Sequence, residues 1–187
     1  MDVGAAVVGR RLSGLSRMRV GFGYDSHRFE DVSRQGNSLD VTQKLGGVAI
    51  PGCPKLKGHS DADVLIHAVI DAVLGAAALG DIGSHFPDTD SRWKGADSAT
   101  LLSSVIAELH DVGYAVGNID ATVICEMPKL RPHVEAIRLR LAELLCVSVG
   151  SVSVKGKTNE GMDAVGAGLG IAVHAVALIE DFKGSRS

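Results

Sequence analysis

Apolar and polar residues alternate along parts of this chain as they do in β-strands with one buried face. The strand-like runs cover residues 19–27, 118–125, 152–158 and 171–179. Apolar residues spaced three and four apart predict three helices, at residues 61–79, at 97–112 and from Pro132 onward. This mixture predicts an α+β fold, a two-layer sandwich in which one mixed sheet carries helices on one face.

Capping and turn residues set the expected limits of these elements. Ser60 followed by Asp63 is typical of a capping box before the first helix, and Gly80 would end that helix. The polar residues 30–44 predict an exposed loop. Residues 80–90 contain three acids, two glycines and a proline, so they also predict a loop.

The last predicted strand is apolar on both faces. Ile171 and Val173 would lie on one face, and Val176 on the other, because side chains alternate along a strand. The second sheet face should therefore also be covered, and copies of the same chain could cover it. We expect a homo-oligomer.

The length of 187 residues predicts one folded unit. Met18 immediately precedes the first strand, so we expect a single catalytic domain over 18–180, an appended extension over 1–17 and a tail over 181–187. The extension could come from an upstream start codon, a cloning remnant or a short targeting segment. Its apolar part is too weak for a secretory signal, which favours a bacterial cytoplasm over a plastid.

Composition excludes several classes of protein. Apolar residues make up 45% and charged residues 22%, as in a soluble globular domain, and the net charge of −3 argues against nucleic-acid binding. No run approaches the ~20 apolar residues of a membrane span. The three cysteines predict neither a disulfide framework nor a thiolate zinc site, and we expect Cys125 and Cys146 in the core and Cys53 in a loop.

Asp25 and His27 are two residues apart on a predicted strand, so their side chains leave the same face and could bind one ion. His67 lies in an otherwise apolar helix and is the best candidate for a third ligand. One carboxylate and two imidazoles leave a tetrahedral position open, as in catalytic zinc sites. Alternatively, His67 is a core histidine paired with Asp63 or Asp71; those acids could equally hold the second ring nitrogen of a metal-bound His67.

Two further segments carry possible phosphate chemistry. His59 and Ser60 precede the first helix, where free N–H groups favour a phosphate, although Ser60 could simply be a cap. Residues 155–160 combine two lysines, a threonine and a glutamate, which could hold a diphosphate and Mg²⁺. The acids of residues 80–90 could bind sugar hydroxyls or a divalent ion, or only shape a turn.

Taken together and in order, several motifs resemble the 2-C-methyl-D-erythritol 2,4-cyclodiphosphate synthases over almost the whole chain. The motifs are Gly23-Tyr24-Asp25-Ser26-His27, Gly58-His59-Ser60-Asp61-Ala62-Asp63 with His67, Asp81-Ile82-Gly83, Phe86-Pro87-Asp88-Thr89-Asp90, Lys94-Gly95-Ala96-Asp97-Ser98, Pro128-Lys129-Leu130 and Lys157-Thr158-Asn159-Glu160. The resemblance implies a homotrimer with active sites between subunits. It also implies cyclisation of 4-diphosphocytidyl-2-C-methyl-D-erythritol 2-phosphate, with release of CMP.

The resemblance assigns roles to residues of this chain. Zn²⁺ or another divalent transition metal would be bound by Asp25, His27 and His67, and Glu160 would bind Mg²⁺ or Mn²⁺ with the substrate diphosphate. His59 and Thr158 would stabilise the transition state. The implied substrate-binding residues are Asp25, Ser26, His27, His59, Ser60, Asp81, Ile82, Gly83, Phe86, Pro87, Asp88, Thr89, Asp90, Cys125, Glu126, Met127, Pro128, Lys129, Leu130, Arg131, Lys157, Thr158, Asn159 and Glu160.

The chain departs from the family pattern before its last strand. The family often has Gly-Arg-Gly-Glu-Gly where this chain has residues 166–170 with Ala167 and Leu169, and Ala164 stands where an aromatic residue is common. A basic contact from Ala167 to phosphate is therefore impossible, and Lys157 is expected to compensate. Two other functions remain open: a metal-dependent phosphohydrolase that uses the same three ligands, and a non-catalytic nucleotide-binding or oligomerisation module.

Overall fold

The computed structural model describes residues 17–30, 41–58 and 60–181. Expectations for the extension before residue 17, for the middle of the 30–44 loop, for His59 and for the tail after residue 181 lie outside these residues. Among the residues described, no helix is long and apolar enough to cross a bilayer.

The structure is a mixed α+β fold, as predicted. Its strands are β1 (Met18–Arg28), β2 (Thr42–Leu45), β3 (Val48–Pro51), β4 (Tyr114–Ile124), β5 (Val152–Lys157) and β6 (Gly170–Asp181). Its α-helices are α1 (Val64–Ala77), α2 (Ile82–His85), α3 (Ser98–Asp111), α4 (Val134–Leu144) and α5 (Asp163–Gly166). Short 3₁₀ turns lie at Ser91–Trp93, Arg131–His133 and Val149–Ser151.

Four strands form the main sheet, in the order β1-β6-β4-β5. β6 is antiparallel to both β1 and β4, whereas β5 is parallel to β4. β1, β4 and β5 therefore run in the same direction, and their carboxyl ends meet at one edge of the sheet. The predicted loop over residues 30–44 is wrong at its end, because Thr42–Leu45 pairs with β3 in a second, two-stranded sheet.

Helices cover one face of the main sheet. α1 lies across β1 and β6, and the inward residues of those strands are buried, for example Val173 and Ala175. On the opposite face the side chains of Val20, Phe22 and Val176 are exposed in this single chain. The expectation of a second apolar sheet face is therefore met.

β1 and α1 approach each other closely. A Cβ added to Gly21 would lie 2.0 Å from the carbonyl oxygen of Ala72, and one added to Gly23 would lie 2.0 Å from that of Ala68. Only glycine fits at either position, because the clash is with backbone that cannot move aside. This contact places the carboxyl end of β1 directly beside the first turns of α1.

Several expected helix limits are corrected. Asp63, and not Ser60, caps α1 by accepting a hydrogen bond from the Ile66 amide, and α1 ends at a left-handed Ala78 before Gly80. Pro132 lies in a 3₁₀ turn that precedes α4. The predicted loop over residues 80–90 contains α2, which Asp81 caps.

The cysteines also differ in part from expectation. Cys53 and Cys125 are buried, and Cys146 is exposed after α4, where its φ is +57°. Burial raises the pKa of Cys53 to about 12 and that of Cys125 to about 11, so both thiols stay protonated near neutral pH.

Candidate metal centre and active site

Asp25, His27 and His67 converge at the carboxyl end of β1. Asp25 and His27 leave the inner face of β1, and α1 places His67 above them. Asp25 Oδ2 lies 3.0 Å from His27 Nε2 and 3.0 Å from His67 Nδ1, and the two ring nitrogens are 3.4 Å apart. One ligand atom from each residue lies within 4.8 Å of the others, so this group could hold a metal ion.

The second nitrogen of His27 is held by the main chain. His27 Nδ1 lies 2.5 Å from the carbonyl oxygen of Lys57. A carbonyl can only accept a hydrogen bond, so Nδ1 carries a proton, and Nε2 is the ring nitrogen that could donate a lone pair to a metal ion. That is the tautomer that a metal requires.

The charges of the centre stabilise one another. Burial raises the pKa of Asp25, but hydrogen bonds and charge attraction from His27 and His67 outweigh burial and hold that pKa well below its usual range. Burial lowers the pKa of His27, but Asp25 and the Lys57 carbonyl outweigh it, so the pKa of His27 is raised. A cation binding here would replace a proton that the carboxylate now attracts.

Among the described residues, the ring nitrogens of His67 contact Asp25, Ser60 and Ser98 and neither the Asp63 nor the Asp71 carboxylate. Asp63 is fully buried and accepts from the amides of Gly46, Gly47 and Ile66. Asp71 accepts from the Ile82 amide. The interpretation of His67 as a core histidine paired with one of these acids is therefore wrong.

His67 instead contacts two hydroxyls through its far ring nitrogen. Nε2 lies 2.9 Å from Ser98 Oγ and 3.0 Å from Ser60 Oγ, and Ser98 Oγ lies 2.5 Å from Asp61 Oδ1. Sequence reasoning missed the contact of Ser98 with His67 and that of Asp61 with Ser98. Ser98 stands 31 residues from His67 and looks like an ordinary residue of a helix start, so no local pattern could reveal the contact.

A cavity of about 580 Å³ opens beside the metal centre. Of the predicted site residues, it is lined by His27, Ser60, His67, Ile82, Gly83, Phe86, Asp88 and Asp90. Lys57, Gly58, Trp93, Lys94 and Leu101 complete the lining. Phe86 and Trp93 pack edge to face with ring centroids 5.0 Å apart, so one wall is apolar while the lysines supply positive charge.

A second cavity of about 300 Å³ lies at the carboxyl ends of β4 and β5. It is lined by Cys125, Pro128, Lys129, Leu130, Arg131, Val134, Gly156, Lys157 and Thr158. Three of these residues are cationic, which suits an anionic ligand. β6 and β4 separate β1 from β5, so the carboxyl ends of β1 and β5 are about three strand spacings, roughly 14 Å, apart on the same sheet edge.

Thr158 and Glu160 meet in the turn that follows β5. The Thr158 hydroxyl donates a hydrogen bond of 2.6 Å to Glu160 Oε1, and both residues are exposed. Glu160 has a φ of +50°, a left-handed conformation that is uncommon for a residue other than glycine. Strained residues of this kind often lie at functional sites.

The remaining predicted residues line neither cavity. Ser26 points to the opposite face of β1. Asp81 caps α2 by accepting a hydrogen bond from the Ser84 amide. Glu126 accepts from the Asn159 amide and so joins the two segments that form the second cavity. Pro87, Thr89 and Met127 line neither cavity, and the bond between Met127 and Pro128 is cis.

Comparison with known proteins gives a consistent result. The chain is 52% identical to the 2-C-methyl-D-erythritol 2,4-cyclodiphosphate synthase of Thioalkalivibrio sulfidiphilus over 168 residues, which is 90% of this chain and all of the relative. It is 54% identical to the synthase of Pseudomonas aeruginosa over 87% of this chain and 98% of the relative.

Solved structures agree with these relatives. The CDP complex of IspF from Plasmodium falciparum superposes with a TM-score of 0.74 and 31% identity, covering 89% of this chain and 97% of that one. A structure of a 2C-methyl-D-erythritol-2,4-cyclodiphosphate synthase with CDP bound has a TM-score of 0.75 at 34% identity, covering 86% of this chain and 99% of that one. The model of the YgbB family matches residues 18–180. The chain therefore belongs to the YgbB family.

Proposed function

We propose that this chain is a lyase that converts 4-diphosphocytidyl-2-C-methyl-D-erythritol 2-phosphate to 2-C-methyl-D-erythritol 2,4-cyclodiphosphate and CMP. It would thereby act in the non-mevalonate route to isoprenoid precursors. The observation that carries the proposal is the convergence of Asp25, His27 and His67 in a chain more than half identical to curated synthases.

The substrate supplies its own nucleophile. An oxygen of the 2-phosphate forms a bond to the β-phosphorus, and the bond from that phosphorus to the bridging oxygen breaks. CMP leaves with the electron pair, so no residue of the protein is covalently modified. The site must bring two repelling phosphates together and stabilise the charge that develops on the oxygens of the transferred phosphoryl group.

The donor set of the metal centre suits Zn²⁺ or a similar transition metal. Asp25 would contribute a carboxylate oxygen, and His27 and His67 would each contribute a ring nitrogen. When bound, the ion supplies fixed positive charge for the diphosphate. Lys57 and Lys94 add charge in the adjacent cavity, which favours an anionic group there.

Thr158 and Glu160 support a second ionic contact. A carboxylate oxygen is a typical ligand of Mg²⁺ or Mn²⁺, so Glu160 would hold such an ion together with the substrate diphosphate. Glu160 now accepts the Thr158 hydroxyl. With its carboxylate on such an ion, Glu160 would release the Thr158 hydroxyl, which could then donate to a phosphate oxygen. His59 would act with Thr158 on the transition state, as the family pattern implies.

The two cavities fit the two ends of the substrate. The apolar wall of Phe86 and Trp93 beside Ile82, Gly83, Asp88 and Asp90 suits the methylerythritol end. The second cavity, with Lys129, Arg131 and Lys157, suits the cytidine and its phosphate. The Ser84 amide and hydroxyl both donate to Asp81 Oδ1, so Asp81 Oδ2 could accept from a sugar hydroxyl.

The proposed assembly is a homotrimer with active sites at its subunit boundaries. The exposed apolar face around Val20, Phe22 and Val176 supports burial against other copies. The separation of the two cavities supports sites that combine the first cavity of one copy with the second cavity of another. Light scattering on the purified chain should give the mass of three copies; the mass of one would contradict this assembly.

Product analysis tests the proposed reaction. Incubation of the chain with the substrate, Zn²⁺ and Mg²⁺ should release CMP and yield a cyclic diphosphate with two ring phosphorus signals in the ³¹P spectrum. A phosphohydrolase with the same ligands would give a linear phosphate. A non-catalytic nucleotide-binding or oligomerisation module would give no CMP and would purify without one zinc per chain.

A further inference from the structure

His67 can carry its proton on either ring nitrogen, and its surroundings favour opposite choices. On one side, Nδ1 lies 3.0 Å from Asp25 Oδ2. An unliganded carboxylate favours a proton on Nδ1, because it can then accept a hydrogen bond. A metal ion needs the reverse, since only an unprotonated Nδ1 has a lone pair to donate. The proton must then reside on Nε2.

On the other side, Nε2 faces Ser98 Oγ at 2.9 Å. The Ser98 hydroxyl has one proton, and its contact with Asp61 Oδ1, at 2.5 Å, uses that proton because a carboxylate can only accept. The oxygen of Ser98 is thereby left as an acceptor toward His67. The direction of donation is consequently from His67 Nε2 to Ser98 and from Ser98 to Asp61.

This chain of hydrogen bonds is buried and anchored. Ser98 is fully buried at the start of α3, and its amide also points to Asp61 Oδ1 at 3.3 Å. The other carboxylate oxygen of Asp61 lies 3.3 Å from the Lys44 ammonium. The side chain of Gln43 donates to the Asp61 carbonyl at 2.9 Å, so the β2 strand fixes both the charge and the main chain of Asp61.

Ser60 is a weaker partner of the same nitrogen. Its oxygen lies 3.0 Å from His67 Nε2, but it also accepts from the Ala62 amide and lies 3.5 Å from Ser98 Oγ. The Ser60 proton can point to His67 or to Ser98 Oγ, so Ser60 does not impose a direction on the hydrogen bond. Ser98 does, because Asp61 orients it.

We propose that Ser98 and Asp61 are positioning residues that hold His67 as the Nε2–H tautomer and so keep Nδ1 open for the metal ion. The inference rests on the proposed function only in that it takes the centre to be a metal site. Neither residue would touch substrate or the ion. Their effect would be on metal affinity, through the orientation and the tautomer of one ligand.

The experiment measures zinc affinity without substrate, by competition with a chromogenic chelator. Ser98→Ala should weaken Zn²⁺ binding about 10- to 100-fold, which is typical for loss of a hydrogen-bond partner behind a histidine ligand. Ser98→Thr keeps the hydroxyl and should restore most of the affinity. Ser103→Ala is the matched control: its hydroxyl donates to the Ala99 carbonyl on the same helix, so zinc affinity should not change.

Two further readouts separate this role from a general structural one. The ¹⁵N shifts of His67 in the zinc form should show Nε2 protonated in the wild-type chain. Asp61→Asn keeps an acceptor but removes its charge, and should weaken zinc binding less than Ser98→Ala does. Wild-type zinc affinity in Ser98→Ala would overturn the proposal. If that variant does not fold, wild-type affinity in Asp61→Asn would overturn it instead.

The outcome is independent of the proposed reaction. If the wild-type chain binds zinc but releases no CMP, the function is wrong while the positioning role still stands or falls on the zinc measurements. If the wild-type chain forms the cyclic product and Ser98→Ala binds zinc normally, the function stands and the positioning role is wrong.

Discussion

The metal centre and the turn after β5 differ in how they are built. His67 is buried, and its ring is held between Asp25 on one side and Ser98 on the other. Thr158 and Glu160 are exposed, and the Thr158 hydroxyl donates a hydrogen bond to Glu160 within the same turn. The centre is thus assembled within one chain, whereas the turn presents groups that a ligand or another copy can recruit. Substitutions should therefore affect metal binding and turnover separately.

His67→Ala should have the largest effect. Removing one of three ligands should abolish zinc binding and lower CMP release at least about 100-fold, because the fixed charge for the diphosphate is lost with the ion. Metal content after dialysis and the initial rate of CMP release check this. His110→Ala, on the last turn of α3 and outside both cavities, should change neither quantity. Retention of zinc by His67→Ala would show that the metal assignment is wrong.

Thr158→Ala tests the exposed turn. It should lower kcat about 100-fold, the usual cost of removing one donor to a transition state, while zinc affinity stays as in the wild type. Steady-state kinetics and chelator competition give the two numbers. Thr100→Ala, on the exposed face of α3, serves as the control. A parallel loss of zinc and turnover would mean that the turn and the centre are not separate.

Gly23→Ala tests the close contact that brings the ligands together. The added Cβ would lie 2.0 Å from the Ala68 carbonyl oxygen, so β1 and α1 must separate. We expect the free energy of unfolding in urea to fall by about 3 kcal/mol, as for an overpacked core. In Gly75→Ala the nearest atom would be the Phe22 carbonyl oxygen at 3.8 Å, and this control should gain up to about 1 kcal/mol from helix propensity. Equal stability of both variants would contradict the close-contact argument.

Lys157→Ala should have the smallest effect. Lys157 lines the second cavity but is exposed, so its charge is screened by solvent. We expect KM to rise about fivefold with kcat nearly unchanged. Lys55→Ala, an exposed lysine outside both cavities, provides the comparison. An unchanged KM would show that Lys157 does not compensate for the basic residue that the family often has at the position of Ala167.

Local patterns predicted the metal ligands because two of them share one strand. The two-residue spacing of Asp25 and His27 requires a common face, and an imidazole in an apolar helix requires a partner. The partner of His67 behind the centre could not be predicted, because Ser98 is brought to it only by the packing of α3. The Lys57 carbonyl has no side-chain signal at all. The local pattern also predicted the wrong cap for α1. The Asp63 carboxylate is held at the start of the helix by the amides of Gly46 and Gly47 in the β2–β3 turn, which are distant in sequence.

The two faces of strand β1 carry different kinds of side chain. Asp25 and His27 point toward α1, whereas Phe22 and Tyr24 point away from it and contact His174 on β6. Because the side-chain period of a strand is two, deleting one residue upstream of Asp25 would invert every later position. The carboxylate and imidazole would then face outward, while bulky side chains would meet α1. A frame error of one residue in this strand would thus remove both the proposed metal site and the proposed surface for self-association in a single step.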